Sequence, residues 1–143
     1  MNRQRDIFSI SHFFYLFKIY YFIFPGSSLA IAKEKIKKAN KLFELEMMED
    51  AVSNAYSAMF HSSRAILFKD GFKERSHYAI LVYIKEAYSN KIEMKFINEL
   101  NILRLERHEI NYGLEKKDYA KNEVERTIKL VSEFLIVAEK LIV

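Results

Sequence analysis

This 143-residue chain has no cysteine, a single proline and only three glycines. Without cysteine there can be no disulfide framework, no thiolate metal ligand and no cysteine nucleophile, and the chain fits a cytoplasmic location. Folds built from strands and tight turns use more glycine and proline than this, so long helices with short connections are expected. Pro25 lies near the N-terminus, and everything after it can run helical without a proline break. No glycine-rich phosphate loop occurs, which excludes classical P-loop and dinucleotide binding. A di-iron helical bundle needs two Glu-x-x-His pairs with two further carboxylates. Only one such pair exists here, Glu74 to His77, and it starts in a loop. No metal and no cofactor are therefore expected.

Half of the residues are apolar, enough for one domain to bury a real core. The net charge of +4 permits contact with nucleic acid without requiring it. Residues 7–24, "IFSISHFFYLFKIYYFIF", follow a basic start and precede "GSSLAIA", an order that mimics a signal or anchor sequence. Its length reaches the lower limit for crossing a bilayer, but His12 and Lys18 interrupt it. Residues 1–28 read as an apolar extension. It is a spurious start translated from A/T-rich DNA, a membrane-associated segment or an extra helix packed on the domain. Membrane contact is expected only if residues 7–24 are real and inserted.

From residue 29 the pattern is helical. Ser27 or Ser28 is expected to cap a helix over 29–45, with Ile31, Ile36, Ala39, Leu42 and Phe43 inward. Lysines fill its other face, which reads as solvated. A second helix over 49–68 carries apolar and small residues on two sides, so neighbours should wrap it closely. Gly71 suits the left-handed position that ends it. Further helices are expected over 76–88, 93–109 and 119–143, the last with a wide stripe through Val124, Ile128, Val131, Leu135 and Ala138. There is no strand pattern. The fold class is all-α, an up-down bundle of about five helices.

The string "MEDAVSNAYSAMFHSSRAILFKDGF", residues 48–72, resembles the HEPN family (higher eukaryotes and prokaryotes nucleotide-binding domain). Small prokaryotic members read roughly "eDAv-rAYYAmFHaaraLL-k-G" along one helix. Glu49 to Val52, Ala55-Tyr56, Ala58 to His61, Arg64-Ala65 and Gly71 match in order, with Ser57 in place of a second tyrosine. His77 falls on the family's "G---k-tH" loop pattern, and Arg107 with Tyr112 on its "LR--ADY" pattern. The resemblance covers residues 29–143. It implies a helical bundle that usually dimerises and often acts beside a minimal nucleotidyltransferase as a toxin–antitoxin pair. In such pairs the HEPN protein is an RNA-cleaving toxin, and two copies combine an Arg, four to six residues, then His motif into one site.

The corresponding stretch here is "LRLERHEINYG", residues 103–113. Metal-free RNA cleavage needs a base for the 2′-hydroxyl, an acid for the leaving oxygen and a cation for the phosphate. Arginine and histidine supply these roles. Counted from Arg107, the family's histidine position is Tyr112, with Asn111 before it. Counted from Arg104, His108 comes one residue early, yet that i, i+4 pair shares a helix side. The candidate catalytic residues are Arg104, Arg107 and His108. The candidate RNA- or nucleotide-binding residues are Arg104, Arg107, Asn111 and Tyr112, with His61 and Arg64 from the second helix. The other reading makes these charges a paired surface at a helix end, His61 a residue hydrogen-bonded inside the bundle, Tyr56 a packed ring with a satisfied hydroxyl, and His77 a cap or packing residue. The functional expectation is a toxin-like HEPN protein, homodimeric, partnered by a nucleotidyltransferase and able to cleave RNA without metal. The alternatives are a non-catalytic HEPN module binding the same partner, and a membrane-associated helical protein.

Overall fold

The computed structural model describes the backbone of Leu16–Lys18 and residues 23–115 and 117–143. The remainder of the 7–24 segment, apart from Ile23 and Phe24, lies outside the described residues, and with it the question of membrane contact. Among the described residues no helix is long and apolar enough to cross a membrane.

Among the described residues five helices carry the fold: α1 (Pro25–Glu44), α2 (Met48–Lys69), α3 (His77–Tyr88), α4 (Met94–Tyr112) and α5 (Lys121–Ile142). The expected all-α bundle is what forms. Two three-residue strands accompany it, β1 (Leu16–Lys18) and β2 (Phe72–Glu74), paired antiparallel with Phe17 opposite Lys73. No strand was expected there, because three residues are too few to display an alternating pattern.

The first helix starts four residues earlier than its polar signals suggest. Pro25 occupies the first turn, where its missing N–H costs nothing and its fixed φ already suits a helix. Neither Ser27 nor Ser28 caps it: Phe24 holds the cap position without a side-chain hydrogen bond, and Ser28 is buried inside the helix. α2 opens with Glu49 and Asp50 in its first turn, where carboxylates meet free N–H groups and the positive end of the helix dipole. It closes at Gly71, whose φ of +84° is left-handed backbone that a Cβ would strain.

α2 is the central helix and touches all four others. Ala51, Ala55 and Ala58 are fully buried on it, as are Ala32 and Ala39 on α1, so the two helices approach with little side chain between them. Ser62 and Ser63 are also fully buried, and each hydroxyl donates to the carbonyl four residues back, Ala58 O at 2.8 Å and Met59 O at 2.9 Å. Asp70 ties α3 to the end of α2, accepting from Tyr83 Oη at 2.6 Å and Tyr88 Oη at 2.5 Å. Burial and this carboxylate push the Tyr88 hydroxyl well above its ordinary pKa.

One acid lies inside the core. Glu99 of α4 is buried and accepts at 3.1 Å from Thr127 Oγ1 of α5. Thr127→Val removes that donor while keeping the shape. It is expected to destabilise the fold by about 1–3 kcal/mol, because a desolvated oxygen loses its partner. Urea denaturation reads this as a lower midpoint at unchanged slope. An unshifted midpoint would mean that Glu99 does not depend on this hydroxyl.

Candidate functional site

The chain reversal after α2 decides where the polar residues meet. Gly71 turns the backbone, β2 returns along α2, and Ser76 starts α3 by accepting the Ala79 N–H at 3.1 Å. His77, the first residue of α3, thereby lies against the middle of α2. Its ring stacks on Phe60 at 4.2 Å between centroids, and its Nδ1 stands 2.6 Å from Tyr56 Oη. The expectations that Tyr56 packs with a satisfied hydroxyl and that His77 packs near a helix start both hold.

An open cleft of about 360 Å³ lies over this pair. Tyr56, Phe60, His61 and Arg64 of α2 form one wall, Glu74 to His77 another, and Arg107 of α4 closes it. Arg107 sits 5.5 Å from the Tyr56 ring centroid, a cation held over an aromatic face. Arg64 Nε is 2.8 Å from Glu74 Oε1, but its N–H is not aimed along the contact, so the two form an ion pair without a hydrogen bond. Among the described residues nothing partners the buried Glu74 Oε2 or His61 Nδ1.

At Nδ1 His61 lacks the internal hydrogen bond expected of it. Its ring stands edge-on to Phe60 at 5.4 Å, and no donor or acceptor reaches Nδ1 among the described residues. Burial holds its pKa below the ordinary histidine value, and Arg64 and Lys35 add to this. Burial lowers the pKa of His77 as well, helped by Arg107, Arg64, His61 and Arg104. Both imidazoles are thus kept neutral at neutral pH. Tyr56 is pushed up to about 12 by burial, against the pull of Arg107 and Arg104, so it keeps its proton.

The candidate residues of α4 divide between two sides of the helix. The helix runs on to Tyr112, three residues beyond the expected end, and stops at Gly113, where a Cβ would lie 2.4 Å from the Glu109 carbonyl oxygen. Arg107 faces the cleft. Arg104 lies beside it, its guanidinium 5.2 Å from the Tyr78 ring centroid and its Nη2 donating to Asn101 Oδ1 at 3.1 Å, with Nε buried and unpartnered among the described residues. His108 follows Arg107 by one residue and is turned roughly 100° around the helix. It is exposed and packed beside Tyr112 at 5.2 Å, away from the cleft that Arg107 closes, and Asn111 and Tyr112 are exposed with it. The structure thus brings His61, Arg64 and Arg107 together, keeps Arg104 alongside, and leaves His108, Asn111 and Tyr112 outside.

The sequence does not put Glu74 forward, and it gives Tyr56 and His77 structural roles only. The pattern that puts a histidine after the glycine turn was the one signal for His77. Nothing in the linear spacing pairs it with Tyr56. A second hollow, near the C-terminal end of α4, has the opposite character. Glu49, Glu106, Glu109 and Glu115 line it with Lys117 as its one cation among the described residues. Glu106 there accepts from Tyr119 Oη at 2.9 Å and pairs with Lys117. Burial and this carboxylate raise the Tyr119 pKa. Of the two hollows, the α2–α3–α4 cleft is the one in which arginines outnumber carboxylates.

A family model described as "HEPN domain" matches residues 27–141. The chain is 32% identical over 81 residues to a Methanocaldococcus jannaschii protein named "Putative toxin MJ0605", covering 53% of this chain and 60% of that one. It is 26% identical over 74 residues to "UPF0332 protein PH1297" of Pyrococcus horikoshii, covering 48% and 52%. The chain thus spans little more than half the length of the relatives it matches.

Proposed function

The chain belongs to the HEPN domain family, and from that premise we propose that it is a toxin-like, RNA-binding member. In this reading it is a homodimer whose partner is a minimal nucleotidyltransferase encoded beside it. The toxin element is supported by the name of the M. jannaschii relative. The observation that carries the RNA element is the cleft, where Arg107 leans over Tyr56 opposite Arg64 and two neutral imidazoles. Guanidinium forks hold a phosphate in fixed geometry, and neutral imidazoles can take up or relay protons near neutral pH.

The proposed reaction is metal-independent strand cleavage. The 2′-hydroxyl gives up its proton and attacks the adjacent phosphorus, the 5′-oxygen leaves and takes a proton, and a 2′,3′-cyclic phosphate forms. Arg104 and Arg107 stabilise the charge that grows on the phosphate oxygens. His108 carries protons from the exposed side of α4, which a second copy of the chain would have to face. Asn111 and Tyr112 extend that side, and His61 and Arg64 hold the strand from the opposite wall. The test is incubation of the purified protein with tRNA and mRNA in excess EDTA. Cyclic-phosphate ends are expected, and His108→Ala should remove them. No cleavage of either RNA, or cleavage unchanged in His108→Ala, would overturn the catalytic reading.

The position of His108 favours a second reading. It stands outside the cleft that holds Arg107, as a non-catalytic HEPN module would tolerate. Stable co-purification with the nucleotidyltransferase, with RNA bound but not turned over, is the result that reading expects.

A further inference from the structure

We infer that Lys35, Lys38 and Lys41 of α1 form a track for successive phosphates, which leads a single RNA strand away from the α2–α3–α4 cleft. This rests on the RNA reading above and names the surface that holds the strand beyond the cleft.

α1 carries an excess of positive charge. Lys33, Lys35, Lys37, Lys38 and Lys41 outnumber Glu34 and Glu44 along it. Lys33 pairs with Glu139 of α5 at 2.7 Å. Among the described residues no carboxylate pairs with Lys35, Lys38 or Lys41. Glu34 precedes Lys38 by four residues, the favoured order for a helical ion pair, and still the two stay apart. Lys38 and Lys41 are exposed and Lys35 is half-buried. Their charges are open to an anion from outside.

The row begins at the cleft. α1 and α2 are joined by the short turn 45–47 and so run antiparallel. Lys35 lies close enough to His61 for its ammonium to help lower the pKa of that ring. His61 and Ser57, one turn earlier on α2, both line the cleft. The aliphatic stem of Lys35 rests on the protein surface and leaves the charged end in water. Lys38 and Lys41 follow at steps of three residues. Each step turns roughly 60° from the buried side of α1 toward its outer face, and the row spans about 9 Å along the axis.

Charge also fixes the direction. A straight continuation along α2 meets Glu49 and Asp50 in its first turn, with Glu46 and Asp118 beside them around one hollow. Those carboxylates repel a phosphate chain, whereas the lysines carry it obliquely across α1. An anionic membrane would attract lysines too, but an interfacial helix buries its apolar face in lipid. The apolar side of α1 is already covered, with Ala32 and Ala39 fully buried and the helix packed on α2 and α5. Continuity with the cleft that holds Arg64 and Arg107 favours RNA.

The experiment is fluorescence anisotropy of labelled single-stranded 2′-O-methyl RNA, which cannot be cut, over a series of salt concentrations. One oligomer of about four nucleotides fills the cleft, and one of about twelve also reaches α1. In the triple variant Lys35→Gln/Lys38→Gln/Lys41→Gln the long oligomer should bind about tenfold more weakly. The slope of log K against log salt should fall by about 2, since each lost contact with a single strand removes about 0.7. Binding of the short oligomer should change little. A charge-matched control, Lys33→Gln/Lys129→Gln/Lys140→Gln, removes the same net charge from α5 and the α5 side of α1 and should keep the parent slope. Circular dichroism should be unchanged in both variants. An equal fall in slope in both, or in neither, overturns the track. Vesicles containing phosphatidylserine that lose the track variant, while its RNA binding stays intact, assign the row to a membrane and overturn it as well. RNA binding that the track substitutions leave untouched sinks the track alone. Failure of the parent protein to bind either oligomer sinks the RNA reading with it.

Discussion

Arg107→Ala is expected to lower RNA turnover about 10²–10³-fold, the usual loss when one preorganised donor to a developing phosphate charge is removed. The side chain is held in place before any ligand arrives, with its guanidinium 5.5 Å from the Tyr56 ring centroid at the mouth of the cleft. Its fork is therefore oriented in advance, and little ordering is needed on binding. Arg107→Lys keeps the charge but gives up the planar fork and most of the ring contact, so it should recover only part of the loss. The electrostatic side has a sign of its own. Arg107 is the foremost charge lowering the pKa of His77, and it also opposes the rise at Tyr56. Its removal must raise both, and an NMR titration of Arg107→Ala should show the His77 midpoint moved upward. If turnover stays near that of the parent while the His77 midpoint rises, Arg107 tunes the cleft without touching substrate, and the proposed role fails.

The route to Arg107 shows what a linear sequence can carry. The α2 string is long and strongly patterned, and its matches at Ala55-Tyr56 and Phe60-His61 identify both the central helix and the family. Gly71 is legible for a physical reason, since only a residue without Cβ takes φ +84° at no cost. The start of α1 is hidden in the sequence because Pro25 reads as a break, although proline is well suited to a first turn. The β1–β2 ribbon left no trace because its strands are shorter than one readable alternation. The site was half legible. Spacing along α4 marks Arg104, Arg107 and His108 as neighbours, but adjacent residues on a helix point about 100° apart. His108 therefore falls on the outer side with Tyr112. Tyr56, Glu74 and His77 meet only because α3 folds back on α2, a tertiary event that no local pattern records.

Phe134→Ala should cost about 3–5 kcal/mol, the range for deleting a fully buried phenyl ring. Phe134 is 1% exposed, flanked on the same stripe of α5 by Val131 and Ala138, which are fully buried. Its ring packs against Phe96 of α4 at 5.7 Å between centroids. The core around it is closed by helices on several sides, so the void cannot be refilled by a small side-chain shift. For a domain of this size the loss corresponds to a fall in melting temperature of roughly 10–20 °C. A drop below about 1 kcal/mol, the level of an ordinary surface change, would mean that α5 is peripheral to the bundle and not one of its walls. The consequence reaches the cleft, because α5 backs α4, and α4 carries Arg107. In Phe134→Ala, binding should decline in proportion to the folded population and return when the temperature is lowered. In Arg107→Ala, binding should be lost at every temperature with the fold intact. Measuring both variants across one melting curve separates a residue that builds the site from a residue that is the site.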